Sequence, residues 1–155
     1  MKLYLVQHGE ALAKDIDADR PLSDSGKQDV GHVADFLGSA GVNVDYVFHS
    51  GKTRAWQTAE ILAHVLSREN KASELSDINP NDSVESLIAR LDKWAEETMI
   101  VGHLPFMAKL VSRLVIGDEG IILTAFQPGS VVCLSNDEGE HWQIQWMIRP
   151  ELFYQ

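Results

Sequence analysis

The sequence predicts an α/β fold in which a mainly parallel sheet is covered on both faces by helices and extended by antiparallel strands at the end. Over the first two thirds of the chain, short apolar runs alternate with amphipathic stretches of helical period, as in repeated strand–helix units. The last third instead contains two strand-like runs, 130–135 and 141–148, joined by a turn at 136–139.

The first strand is predicted at Leu3–Val6, because four consecutive apolar residues are too few for a helix and Gly9 soon follows. A polar loop then leads to Ser23, which is a suitable N-cap for the first helix. The apolar residues of this helix recur with helical spacing, and Gly38 with Gly41 supplies a stop.

A second strand is predicted at 45–48, followed by a helix that ends near Asn70. After an irregular segment, Asp82 or Ser83 caps a third helix, whose apolar stripe extends to Ala95.

A buried strand at 98–101 leads to Pro105, which suits the first turn of a final helix that ends before Gly117. In the run 141–148, apolar and polar residues alternate, so one face of this strand is predicted to be buried.

The composition indicates one domain, residues 1–155, because 45% hydrophobic side chains suffice for a core. The 23 acidic and 13 basic residues give a formal charge of -10, which opposes binding to nucleic acid or to an anionic membrane surface. The single cysteine, Cys133, permits no internal disulfide, and no apolar run approaches the roughly 18 residues of a membrane span. We therefore expect a cytoplasmic protein that holds anionic ligands through a local basic cluster.

Imidazole and guanidinium groups follow the predicted strand ends. His8, Arg54 and His103 come after the strands at 3–6, 45–48 and 98–101, and Arg20 lies in the loop before the first helix. Such junctions gather at one edge of a parallel sheet. Arginine forks bind phosphoryl oxygens, and a neutral imidazole can attack phosphorus. The pattern predicts a phosphoryl-transfer site, in which Gly9 lets backbone amides approach the anion closely.

Four segments resemble, in order and spacing, the motifs of the histidine phosphatase superfamily, and most closely its short phosphohistidine phosphatases of the SixA type. They are Leu5-Val6-Gln7-His8-Gly9-Glu10-Ala11, Arg20-Pro21-Leu22-Ser23-Asp24-Ser25-Gly26, Ser50-Gly51-Lys52-Thr53-Arg54-Ala55-Trp56-Gln57-Thr58-Ala59 and Val101-Gly102-His103-Leu104-Pro105. The resemblance implies a phosphoglycerate mutase-like, three-layer α/β/α sandwich. It also implies that His8 is the phosphate-accepting nucleophile and that Arg20 and Arg54 are phosphate ligands. His103 would then stabilise charge on the transferring group.

The chain departs from the family pattern at two positions of the expected phosphate site. Gln7 stands where the family has arginine, and an amide donates hydrogen bonds but brings no charge to a dianion. Gly51 and Lys52 replace the common Ser-Pro pair. Lys52 either leans toward the phosphate and replaces part of the missing charge or is a solvated surface lysine.

The substrate implied by the resemblance is a phosphorylated protein of the histidine-phosphotransfer type, with inorganic phosphate as product. The insertion that carries a carboxylate proton donor in mutase and acid-phosphatase relatives is missing, which leaves Glu10 and Asp77 as the nearby carboxylates, and each is also an ordinary loop residue. Hydrolysis of a phosphohistidine depends less on a strong acid, because imidazole leaves more readily than an alkoxide. The alternatives are a small phosphate ester as substrate, or a phosphoprotein-binding module that lost turnover with the arginine.

Two other kinds of site are weighed and set aside. Gly51-Lys52-Thr53 matches the end of a nucleotide-binding P-loop, but Tyr46 occupies the position where that motif needs a glycine. The remaining histidines show no metal-ligand spacing, and they are His32, His49, His64 and His141. The sequence therefore predicts activity without a metal or cofactor.

Overall fold

The computed structural model describes residues 1–137 and 141–154. Its strands are β1 (Lys2–Gln7), β2 (Tyr46–His49), β3 (Ser73–Glu74), β4 (Thr98–Gly102), β5 (Val131–Asp137) and β6 (His141–Ile148). The α-helices are α1 (Asp24–Ser39), α2 (Thr53–Leu66), α3 (Glu85–Leu91) and α4 (Phe106–Ile116), and a 3₁₀-helix follows at Pro150–Phe153. None of the helices described is long and apolar enough to cross a membrane.

The strands form one sheet in the order β3-β2-β4-β1-β5-β6. The pairs β3–β2, β2–β4 and β4–β1 are parallel, whereas β1–β5 and β5–β6 are antiparallel. This confirms the predicted mainly parallel sheet with antiparallel strands at the end. In the parallel part, Val101 lies opposite both Val6 and His49, so β1, β2 and β4 end at the same edge.

Two hydrophobic clusters lie on opposite faces of the sheet. On one face, β1 and β4 pack against the buried residues of α1 and α2, which include Val30, Val33, Leu37, Ala59 and Leu62. On the other face they pack against α3 and α4 through Leu87, Leu91, Phe106, Leu110 and Val111. Successive residues of β1 alternate between the clusters, as the pleat of a strand requires. The result is the three-layer α/β/α sandwich.

The predicted end of the second helix near Asn70 is wrong, because α2 ends at Leu66. The next residue, Ser67, has an extended backbone and forms a parallel bridge with Val44. The amide of Val44 donates to Leu66, and the carbonyl oxygen of Val44 accepts from Arg68. Pairing with a segment far away in the sequence therefore replaces the last helical turn.

The third helix is also shorter than predicted, since α3 spans only Glu85–Leu91 and Ala95 lies outside it. Val84 occupies the N-cap position, and Asp82 accepts a hydrogen bond from Asn79 before the helix. The hydroxyl of Ser83 accepts from the amide of Glu85, the first residue of the helix, at 3.3 Å. Trp94 continues the apolar stripe from a turn after the helix, where its ring stacks on Phe48 with 5.5 Å between centroids. The apolar residues of the stripe have helical spacing, but Trp94 and Ala95 lie beyond the end of α3.

The expectation that one face of β6 is buried is wrong. A bulge shifts the register so that Cys133 pairs with Trp146 and Leu134 pairs with Ile144. A bulge adds one residue to a strand and reverses the faces that follow it. Trp142 consequently packs against the α3–α4 cluster and Trp146 against the α1–α2 cluster. The turn predicted at 136–139 falls partly outside the described residues.

Two glycines of α1 provide a test of how the loop after β1 lies on this helix. Ser23 caps α1 by accepting from the amide of Gly26, as predicted. A Cβ atom at Gly26 would lie 2.1 Å from the carbonyl oxygen of Glu10, whereas nothing lies within 4 Å of a Cβ at Gly31. Gly26→Ala should lower the free energy of unfolding by about 1–3 kcal/mol. Gly31→Ala, the matched control, should raise it by about 0.5–1 kcal/mol.

Both changes are measured by denaturant unfolding of the purified variants. A Gly26→Ala variant as stable as the wild type would show that the loop does not press against α1.

Candidate active site

The ends of the parallel strands bring the two predicted pocket histidines together. His8 follows β1, and its backbone amide donates to the carbonyl oxygen of Gly102, the last residue of β4, at 3.0 Å. His103 follows β4 directly, and the centroids of the two imidazole rings are 5.0 Å apart. The sheet register thus places both rings at one edge, as the sequence predicts.

One hydrogen bond fixes the protonation of His8. Its Nδ1 lies 2.7 Å from the carbonyl oxygen of Gly9, and because a carbonyl oxygen only accepts, Nδ1 carries the proton. In a neutral ring the other nitrogen, Nε2, then has a free lone pair. Burial lowers the pKa of His8 to about 4, and the charges of Arg54 and Arg20 act in the same direction. His8 is therefore neutral at ordinary pH.

The amide of Gly9 is not available to an anion, contrary to the expectation from the sequence. It donates to the hydroxyl of Thr58 at 2.9 Å, and this hydroxyl in turn donates to the carbonyl oxygen of Arg54 at 2.7 Å. Gly9 is required by packing instead, since a Cβ there would lie 2.8 Å from Val30. Thr58 thus joins the loop after β1 to the helix turn that carries Arg54.

Two guanidinium groups lie near enough to both imidazoles for their charges to lower the pKa values of His8 and His103. Arg54 lies in the first turn of α2, and its buried Nε has no hydrogen-bond partner. Burial and the charge of Arg20 lower the pKa of Arg54. Arg20 donates through Nε to Leu12, and its loop is tied to α2 because the amide of Leu22 donates to Gln57. In the described part of the chain, no ion pair joins either arginine to a carboxylate.

His103 is 2% exposed and lies against the turn after β2. Its Nε2 is 2.6 Å from the hydroxyl oxygen of Ser50, while its buried Nδ1 has no partner. Burial lowers the pKa of His103 to about 3, and the neighbouring His8, Arg54, Lys52 and Arg20 add to the effect. The half-buried Lys52 therefore acts on the same pocket as the arginines.

Ser50, Gln57 and Thr58 contact the site residues or the loops that carry them, although the sequence predicted no role for them. All three stand within the quoted segment 50–59, and Ser50 follows a strand end as the histidines do. The position of Ser50 after a predicted strand could therefore have indicated a role in the site. The contacts of the other two join segments that are 35 and 49 residues apart, which periodicity does not predict.

Comparison with known proteins assigns the family. The sequence profile of the histidine phosphatase superfamily (branch 1) matches residues 3–82, which is more than half of the chain and includes His8, Arg20 and Arg54. The chain belongs to the histidine phosphatase superfamily. The phosphohistidine phosphatase SixA of Escherichia coli (strain K12) is 26% identical over 155 residues, covering 97% of this chain and 94% of the relative.

Solved structures of other proteins share the fold. The protein histidine phosphatase SixA complexed with tungstate has a TM-score of 0.86 and 25% identity, with 99% of each chain covered. The alpha-ribazole phosphatase from Shigella flexneri has a TM-score of 0.77 with 16% identity, with 97% of each chain covered, and supports the fold alone. Together these similarities support a phosphatase with the phosphoglycerate mutase-like fold.

Gln7, which replaces the arginine expected of a histidine phosphatase, is 8% exposed at the end of β1. Its backbone amide donates to Ser130, and its carbonyl oxygen accepts from Gly129. The side-chain oxygen is buried without a hydrogen-bond partner. Unpartnered buried polar atoms therefore occur on Gln7, Arg54 and His103, all at the same edge of the sheet.

Neither nominated carboxylate is bonded to a pocket histidine. The carboxylate of Glu10 accepts from the hydroxyl of Ser23 at 2.9 Å, and Asp77 is an exposed residue beside Ser76. Among residues 1–137 and 141–154, no group of three or more His, Cys, Asp or Glu side chains could hold a metal ion.

Gln7→Arg tests whether residue 7 contacts a bound phosphoryl group. An arginine there would add a charge-assisted hydrogen bond, worth about 1.5–3 kcal/mol, and should raise kcat/KM about ten- to a hundredfold. Lys52→Ala alone should lower kcat/KM. If Lys52 already acts near residue 7, the double variant should depart from additivity.

Gln7→Met, which has similar length but no amide, serves as the matched control, and thermal unfolding verifies the fold of every variant. If Gln7→Arg folds but neither raises kcat/KM nor tightens inhibition by inorganic phosphate, then residue 7 does not contact the phosphoryl group.

Proposed function

We propose that the protein hydrolyses phosphohistidine on a protein partner through a covalent phosphohistidine intermediate at His8. The observation that supports this proposal most strongly is the hydrogen bond of His8 to Gly9, because it leaves Nε2 of the neutral ring free to attack. Arg20, Arg54 and Lys52 provide the positive charge that a phosphoryl dianion needs.

In the first step, the Nε2 lone pair of His8 attacks phosphorus and forms a P–N bond. The bond between phosphorus and the substrate imidazole breaks, its electron pair stays on the leaving nitrogen, and that nitrogen takes a proton from water. The His8 ring then carries the phosphoryl group on Nε2 and a proton on Nδ1. Its positive charge is stabilised by the carbonyl oxygen of Gly9.

In the second step, water attacks phosphorus on the side opposite His8 and loses its proton to solvent. The P–Nε2 bond breaks, the electron pair returns to Nε2, and inorganic phosphate leaves. The ring regains the neutral state in which it began, so no further proton transfer is needed before the next turnover.

His103 changes its role when the phosphoryl group enters. In the ligand-free pocket its low pKa keeps the ring neutral. A dianion within a few ångströms raises the pKa of a neighbouring imidazole, because it favours the charged form. His103 then stabilises the negative charge of the transferring group, while Ser50 holds its Nε2 side.

The ease with which imidazole leaves favours a phosphohistidine over an alkyl phosphate as the substrate. Of the two carboxylates considered as proton donors, Glu10 accepts a hydrogen bond from Ser23 and Asp77 is exposed. An imidazole leaves without the strong acid that an alkoxide requires. The Escherichia coli relative named phosphohistidine phosphatase SixA supports the same substrate. The alternative is a phosphoprotein-binding module with weak turnover, which the uncharged Gln7 favours.

Rapid quenching with a labelled phosphohistidine protein tests the proposal directly. We expect phosphate bound to His8, in an adduct that is labile to acid and stable to base, and His8→Ala should lose both the adduct and turnover. His64→Ala, which removes an exposed histidine in the last turn of α2, is the matched control and should retain both.

The same preparation is assayed on phosphoserine peptide and on a sugar phosphate, where slower turnover is expected. Full activity of His8→Ala would refute the covalent mechanism. Tight binding of the phosphoprotein by the wild type, with neither adduct nor turnover, would identify a binding module.

A further inference from the structure

His49 is a buried imidazole beside the pocket that the reaction itself does not use. It is the last residue of β2 and is 7% exposed. It directly precedes Ser50 in the turn that leads to α2. We propose that neutral His49 positions this turn for phosphate binding, and that its protonation weakens the phosphatase in acid. This inference rests on the proposed function of the same site.

The ring of His49 closes the turn through a hydrogen bond. The backbone amide of Gly51 donates to Nδ1 of His49 at 3.0 Å. A ring nitrogen accepts a hydrogen bond only when it carries no proton, so the neutral ring has its proton on Nε2. His49 thus has the tautomer opposite to that of His8.

The backbone of this turn, residues 49–52, is constrained by its neighbours. Gly51 has a φ angle of +91°, and a Cβ there would lie 2.1 Å from Oε1 of Glu74. His49 pairs with Glu74 across β2 and β3, and its carbonyl oxygen accepts from Leu75 at 2.8 Å. The turn is therefore held by β3 on one side and by the His49 ring on the other.

The turn carries groups that act on the pocket. The hydroxyl of Ser50 lies 2.6 Å from Nε2 of His103, and the amide of Lys52 donates to the same hydroxyl at 3.4 Å. Lys52 is the N-cap residue of α2, and Arg54 follows in the first turn. Loss of the bond between Gly51 and His49 would displace Ser50 and Lys52 relative to His103.

Protonation of His49 has this effect, because it places a second N–H group opposite the amide of Gly51. The charged groups acting on the ring are the carboxylates of Glu74 on β3 and Glu60 on α2. Burial lowers the pKa of His49, and these two carboxylates oppose the effect. At His8, Arg54 and Arg20 instead reinforce burial and bring the pKa to about 4. The carboxylates thus favour the protonated form of His49, whereas the charges beside His8 disfavour the protonated form of that ring.

The experiment compares His49→Leu, which removes the acceptor, with His49→Asn, whose side-chain oxygen replaces Nδ1 and does not titrate. At neutral pH, His49→Leu should lower kcat/KM about five- to tenfold, as expected for loss of one hydrogen bond, and His49→Asn should retain it. As the pH falls, protonation of His49 should remove part of the wild-type activity in a step separate from the loss that protonation of His8 causes around pH 4. His49→Asn should lack this partial step.

His64→Asn, which changes an exposed histidine at the other end of α2, controls for the loss of an imidazole. Wild-type kcat/KM in a folded His49→Leu variant, or a partial step that persists in His49→Asn, would overturn the proposal. If His49→Leu does not fold, the pH profile of His49→Asn still tests the proposal, because this variant should lack the partial loss of activity in acid.

Calorimetric titration with inorganic phosphate separates this inference from the proposed function. Even if the wild type hydrolyses no phosphorylated substrate, His49→Leu should bind phosphate more weakly, while His49→Asn binds it like the wild type. Equal phosphate affinity of all three proteins would refute the positioning role without bearing on catalysis at His8.

Discussion

A hydrogen bond of 2.7 Å joins Nδ1 of His8 to the carbonyl oxygen of Gly9. The amide of Gly9, which belongs to the preceding peptide unit, donates to the hydroxyl of Thr58. If the ring turned over about its Cβ–Cγ bond, Cδ2 would face the carbonyl oxygen, this hydrogen bond would be lost, and Nε2 would move to the position that Cε1 now occupies. The proposed chemistry therefore depends on the backbone of Gly9, which is hydrogen-bonded through both its carbonyl oxygen and its amide.

Helix α2 is the element that holds most of the pocket together. Through Thr58 it binds the loop after β1, through Gln57 it binds the loop of Arg20, and it contributes Arg54 from its first turn. The positive charges face one another and two neutral imidazoles without a bonded carboxylate among the described residues. Such an arrangement is unfavourable while empty and becomes favourable when a phosphoryl dianion enters.

The sheet type and the gathering of His8, Arg54 and His103 were predictable, because apolar runs locate strands and parallel strands end at one edge. Features that depend on contacts between distant segments were not. The amide of Gly9, which the sequence suggested as a ligand of the anion, instead donates to Thr58. The bulge in β6 divided an alternating run between two cores, and Ser50 gained its role only from its position against His103.

The protonation of the His8 ring is the most direct test of this account. In protein labelled with ¹⁵N in the histidines, the ring nitrogen shifts report which nitrogens carry a proton. At about pH 6, near the pKa of an ordinary imidazole, we expect the His8 ring to be neutral, with a proton on Nδ1 and none on Nε2. A doubly protonated His8 at this pH, or a neutral ring with its proton on Nε2, would contradict the assignment of His8 as the phosphoryl acceptor.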